Sequence, residues 1–162
     1  MDFRLSDAAA DLRRGILDFM EEHVYPAEGL YQKEVEASGN PHHHAETLET
    51  LKDEAKHRGL CNLFLPRATP WSEGLSNLDY APLAEIMDRS PLGPRACNCS
   101  APDTGNMEIL AEFGTPDQQE RWLRPLLEGT IRSSFAMTEP AVASSDATNI
   151  EAGGKTSSRQ FS

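Results

Sequence analysis

"GTPDQQERWLRPLLEG", Gly114 to Gly129, followed after three residues by "SSFAMTEP", Ser133 to Pro140, holds a change of period that decides the fold. Thr115, Pro116 and Gln118 fit an N-cap, a first helical position and a capping-box partner in that order. Trp122, Leu126 and Leu127 then supply an apolar side to the helix that this cap opens. Past Gly129 the spacing becomes two: Ile131, Ser133, Phe135 and Met137 fall on one side, and Arg132, Ser134, Ala136 and Thr138 on the other. That alternation predicts a strand from Ile131 to Thr138. Helices come before it, and a loop of small polar residues, "AVASSDATN", comes after.

Working back from Gly114, the chain is helical throughout. Ser6 caps a helix whose face carries Leu12, Ile16, Met20 and Val24, and Pro26 is expected to stop it. A second helical stretch covers Glu28 to Ser38 and breaks at "SGNP". A third carries Leu48, Leu51 and Ala55 up to Gly59, followed by a buried connection, "LCNLFLP". A fourth uses Leu83, Ile86 and Met87 and ends near Ser90, because Pro91 disfavours helix before it. A fifth follows "APDTGN", using Met107, Leu110 and Phe113 up to Gly114.

Composition narrows the function. The 162 residues are 38% hydrophobic and carry a net charge of −11, which suits one soluble domain or one domain with the start of another. An acidic surface disfavours nucleic acid and anionic membranes, so neither is expected as a partner. Without a long apolar run or a secretory signal, the expected location is cytoplasmic. Cys61, Cys97 and Cys99 make an odd count and read as reduced packing thiols. His42, His43 and His44 diverge on any regular backbone and have no carboxylate or cysteine at ligand spacing, so no metal site is expected.

The segment from Asn98 to Ile150, "NCSAPDTGNMEILAEFGTPDQQERWLRPLLEGTIRSSFAMTEPAVASSDATNI", resembles the acyl-CoA dehydrogenase family. It is similar to the branch that carries "APDTGNME" and "SSDATN" in place of the more usual "GAGSD" loop, and the likeness extends over roughly residues 1–152. The fold the resemblance implies is mainly α: the N-terminal helical bundle of that family over 1–130, and the first strand and flavin loop of a β domain over 131–152. Residues 153–162 form an irregular tail that does not continue as family members do, so a truncation, frameshift or alternative end is expected.

The resemblance implies an FAD-dependent enzyme that oxidises the Cα–Cβ bond of acyl-CoA thioesters in fatty-acid breakdown. It further implies an electron-transferring flavoprotein as electron acceptor and a homo-oligomer at full length. In the family, the strand matching Phe135, Ala136, Met137 and Thr138 lies along the flavin, with the Thr138 hydroxyl directed at its edge. Ser145 is implied as a contact shared by cofactor and substrate, with Ser144 as its competitor, because this loop has one more residue than "GAGSD". Small side chains there let backbone N–H groups approach a pyrophosphate, which is how an acidic protein can hold one. Met107 and Phe113, with Thr104, are implied as lining an acyl pocket, although apolar residues at helical spacing also serve as plain core. Glu139 is not expected to be the catalytic base, which in the family is a glutamate of a C-terminal helical domain. This chain alone is therefore expected to be inactive, and a non-catalytic helical assembly module is the alternative.

Overall fold

The computed structural model describes residues 4–135, 139–140 and 146–151. The chain begins with one long helical rod made of α1 (Asp7–Phe19), a π turn (Met20–Val24) and α2 (Tyr25–Ser38). Ser6 caps it as expected, its hydroxyl accepting from the Ala9 N–H at 3.2 Å. Pro26 does not stop the helix. Instead, the preceding turn widens so that the Tyr25 N–H bonds five residues back to the Met20 carbonyl, and the backbone passes the proline without breaking. The rod ends at Gly39, whose φ of 64° suits a residue without a side chain.

α3 (Glu46–His57) lies against α2 and against a short α5 (Gly93–Ala96), while α4 (Asn77–Met87) packs on α1. α3 closes in a Schellman arrangement: Gly59 N–H bonds to the Lys56 carbonyl at 3.0 Å and Leu60 N–H to the Ala55 carbonyl at 2.9 Å. Ile16, Phe19, Met20, Val24, Leu83 and Met87 are wholly buried in the core these helices share.

The third unit is α6 (Asp103–Phe113) packed on a second rod, α7 (Pro116–Gln118), a π turn (Gln119–Leu123) and α8 (Arg124–Leu127). Both halves of the expected capping box form: Gln118 N–H donates to Thr115 Oγ1 at 3.3 Å, and Thr115 N–H to Gln118 Oε1 at 2.9 Å. Phe64, Leu65, Met107, Leu123, Leu126 and Leu127 make its own core, and Tyr80 and Cys99 touch both clusters. Asn62 and Asn98 tie the C-terminal end of α8 to the rest. Each sits at positive φ (62° and 51°), and their amides donate to the Leu127 and Leu126 carbonyls, both at 2.9 Å.

Among the described residues there is no strand, and residues 131–135 are irregular, contrary to the alternation of Ile131, Ser133 and Phe135. Period two predicts an extended segment only where a neighbouring strand takes its backbone bonds. Here the Ser133 N–H is taken by a side chain, Asp103 Oδ1, at 2.7 Å.

Candidate functional site

Two features meet at α6: a buried carboxylate at its first turn and an open groove along its outer side. Asp103, the first residue of α6, is only 2% exposed. Its Oδ2 forms an ion pair with Arg132 Nε at 2.8 Å, and its Oδ1 accepts from the Ser133 N–H at 2.7 Å and the Ser133 hydroxyl at 2.6 Å. One helical turn later, Asn106 Nδ2 donates to that same hydroxyl at 2.8 Å. Positions i and i+3 lie on one side of a helix, so Asp103 and Asn106 together grip Ser133. The chain is thus pinned to α6 two residues before Phe135, which stands 63% exposed.

Of the residues expected to meet a flavin, only Phe135 is among those described, and it stands at this exit. Ala136, Met137, Thr138, Ser144 and Ser145 lie outside the described residues. The residue after Ser145 is ordered by its own contacts: Asp146 Oδ1 accepts from the Thr148 N–H at 3.0 Å and its hydroxyl at 2.6 Å, forming the start of a 3₁₀ turn over Ala147–Asn149. The Thr148 hydroxyl, with its backbone N–H, holds the Asp146 carboxyl below the usual range. Glu139 Oε2 accepts from the Glu151 N–H at 3.1 Å, so the ends of the loop are joined.

The three residues expected at an acyl pocket, Met107, Thr104 and Phe113, sit differently. Met107 is fully buried among Phe64, Leu65, Leu123, Leu126 and Leu127, whereas Thr104 is half-buried on α6. The groove along α6 has a volume of about 420 Å³ and is walled by Leu65, Pro66, Ala68, Ile109 and Phe113, beside the Arg67–Glu112 ion pair at 2.8 Å. Ile109 and Phe113 are 54% and 79% exposed, unusual for side chains of their size. Sequence reasoning passed over Asp103, Asn106, Arg132 and Ile109. The acid and amide three apart in "PDTGN" were a visible signal of a shared helix side, but their partner thirty residues on was not.

The thiols are held neutral. Burial is the main cause in all three: it pushes Cys61 and Cys99 up to about 11 and Cys97 well above its usual value. His42, His43 and His44 are exposed, and among the described residues no three His, Cys, Asp or Glu side chains are grouped to hold a metal ion. No described helix is long and apolar enough to cross a membrane.

The helical part has known counterparts. The family model described as "Acyl-CoA dehydrogenase, N-terminal domain" matches residues 6–130. FadE2 of Mycobacterium tuberculosis, assigned as an acyl-CoA dehydrogenase, is 56% identical over 153 residues, covering 93% of this chain and 37% of the relative. Acyl-CoA dehydrogenase family member 10 of Mus musculus is 51% identical, covering 91% and 14%. A solved structure assigned as an acyl-CoA dehydrogenase from Mycobacterium abscessus superposes with a TM-score of 0.78 at 46% identity, over 90% of this chain and 38% of that one. The chain thus spans little more than a third of the longest-matched of these relatives, and less of the other curated one. Matched in sequence over its whole helical part and in fold at that TM-score, the chain belongs to the acyl-CoA dehydrogenase family, in the region of its N-terminal domain.

Proposed function

We propose that this chain is the N-terminal portion of an FAD-dependent dehydrogenase that oxidises the Cα–Cβ bond of acyl-CoA thioesters in fatty-acid breakdown. Residues 1–130 form its helical domain, 131–152 begin a β domain with the flavin loop, and 153–162 are an irregular tail. The observation that carries the reading is the family match over residues 6–130, joined to a clamp that pins Arg132 and Ser133, just ahead of "FAMTEP" in sequence, to that same domain.

The donor set suits a flavin nucleotide. Thr138 offers a hydroxyl for the ring edge, and the small residues Ala143, Ser144 and Ser145 leave backbone N–H groups approachable by a pyrophosphate. Bound FAD would supply the acceptor for a hydride leaving the substrate's β-carbon. The chain's own share is to bind and orient: Asp103 and Asn106 hold Ser133, and the groove beside Ile109 and Phe113 offers an apolar lining to an acyl chain. Electron-transferring flavoprotein is the proposed electron acceptor, homo-oligomer the proposed state at full length and cytoplasm the proposed location. The chain alone is inactive on this reading. Proton abstraction and hydride transfer need groups on both sides of one bond.

A chimaera tests this: residues 1–150 of this chain replace the matching segment of the Mycobacterium tuberculosis relative. The chimaera is expected to retain FAD and reduce a dye with at least one member of an acyl-CoA panel, while the 162-residue chain with added FAD does not. A folded chimaera without flavin or turnover overturns the reading and leaves the helical assembly module.

A further inference from the structure

A second cleft, of about 450 Å³, opens between the start of α3, α5 and the turn after α8, lined by His44, Lys52, Arg95, Thr130 and Arg132. Its lining holds three permanent cations and one carboxylate, Glu49, in a chain whose net charge is −11. Outside the lining, the Lys56 ammonium lies 3.9 Å from where a Cβ on Gly129, a lining residue, would lie. Glu49 is occupied by Lys52 Nζ at 2.7 Å.

Both arginines are held by one edge. Arg95 donates through Nη1 to the Tyr31 hydroxyl at 2.7 Å, with its guanidinium 5.3 Å from the Tyr31 ring centre, and has no carboxylate partner among the described residues. Arg132 is ion-paired through Nε with the buried Asp103, which leaves its two terminal nitrogens for another acceptor. A guanidinium already fixed on one side loses little rotamer freedom when the other side binds, and its fork of donors matches phosphate oxygens. Two such groups facing one cleft are more than an acidic surface needs for solubility. We infer that this cleft binds the phosphate group of a phosphorylated small molecule, with Arg95 and Arg132 as paired donors and Lys52 as the third charge.

Inorganic pyrophosphate is the probe, titrated into the labelled 162-residue chain at low salt and followed by amide NMR, with ADP and sulfate as separate arms. Saturable shifts at Thr130, Arg132 and the Arg95 side-chain N–H are expected. Arg95→Gln should weaken binding by at least about tenfold, the usual scale of a charge-assisted hydrogen bond. Lys52→Gln should weaken it about threefold, while Arg67→Gln, on the far groove, leaves it unchanged. Tighter binding of ADP than of pyrophosphate identifies a nucleotide as the source, and equal binding identifies the phosphate alone; either supports the site. Three results overturn it: shifts elsewhere or none, sulfate binding as well as pyrophosphate, or wild-type affinity in folded Arg95→Gln. If Arg95→Gln does not fold, Lys52→Gln decides, because its ammonium pairs with the exposed Glu49 one turn away on the same helix and wild-type affinity in that variant equally removes the site.

Discussion

Asp103→Ala should loosen the exit from the helical domain more than any other single polar change on α6. Two hydrogen bonds and an ion pair end on this carboxylate: the bonds from the Ser133 N–H at 2.7 Å and the Ser133 hydroxyl at 2.6 Å, and the pair with Arg132 Nε at 2.8 Å. Their values differ. Arg132 is 45% exposed, so water screens that pair to about 0–1 kcal/mol. The two Ser133 bonds are charge-assisted and made to a carboxylate only 2% exposed, each on the scale of about 1.5–3 kcal/mol. Asn106 keeps its own bond to the hydroxyl, but as a donor it replaces neither lost acceptor contact. Losing an acid from the first turn of α6 subtracts a few tenths more. The net expectation is about 3 kcal/mol for Asp103→Ala and about 1 kcal/mol for Asp103→Asn, which keeps an acceptor facing Ser133. With a urea slope of about 2 kcal/mol/M, the alanine variant should shift the midpoint down by roughly 1.5 M at unchanged slope. Amide exchange at Ser133 should rise in step. An unmoved midpoint with wild-type protection at Ser133 would refute the clamp, since no other group on α6 can replace that acceptor.

Asn98→Ala should cost roughly 2–3 kcal/mol by urea denaturation, because alanine at φ 51° is strained and its bonds to Asn62 Oδ1 and the Leu126 carbonyl are gone; Asn98→Gly should cost about 1 kcal/mol less, as glycine accepts that backbone. Leu123→Ala, at a wholly buried position between α6 and the second rod, should cost about 3 kcal/mol, measured the same way. The thiols give a pH dependence whose sign follows from burial. Their folded values stand above the ~8.5 of a free thiol, so folding prefers the protonated form. That contribution is fully present below about pH 8.5 and should fade as the pH rises toward about 11, where Cys61 and Cys99 ionise in the folded protein. A urea midpoint that rises over this range would contradict it, as would rapid labelling of Cys97 by a thiol reagent at neutral pH before unfolding.

What could be read along the chain was whatever a few adjacent residues decide. The capping box at Thr115 and Gln118, the stop at Gly59 and the buried stretch at Leu60, Phe64 and Leu65 all follow from local chemistry, and all are present. Expectations failed where distant groups compete. Alternation from Ile131 names two sides of an extended chain but says nothing of what will bond its backbone, and Asp103 takes the Ser133 N–H. For the site, Phe135 stands exposed where the chain leaves α6, Met107 is buried in the core, and the groove wall is made by Ile109 and Phe113. Helical spacing alone could not separate those roles, because Met107 and Ile109 are both apolar residues of one short helix, and only the packing partner of each decides.

The same packing logic explains why both rods carry a π turn just before a proline. The first ends at Val24, two residues before Pro26, and the second at Leu123, two residues before Pro125. A proline in an α-helix clashes with the carbonyl four residues back, and a wider turn moves that carbonyl away. The widening also corrects a drift. Ile16, Met20 and Val24 recur every four residues, and in a 3.6-residue turn each such step overshoots by about 40°. A π turn holds more residues, so a four-residue step across it falls short, and the two errors oppose. All three side chains therefore reach full burial on one side of the rod. In the second rod, the extra residue sets Leu123, Leu126 and Leu127 against α6, while Gln119 at the start of its π turn donates to the Leu110 and Ala111 carbonyls at 3.2 and 3.1 Å. The end of α6 is thereby satisfied by the rod it packs on. A proline that looks like a stop in sequence is, in both rods, compatible with a continuous helix whose phase the core requires.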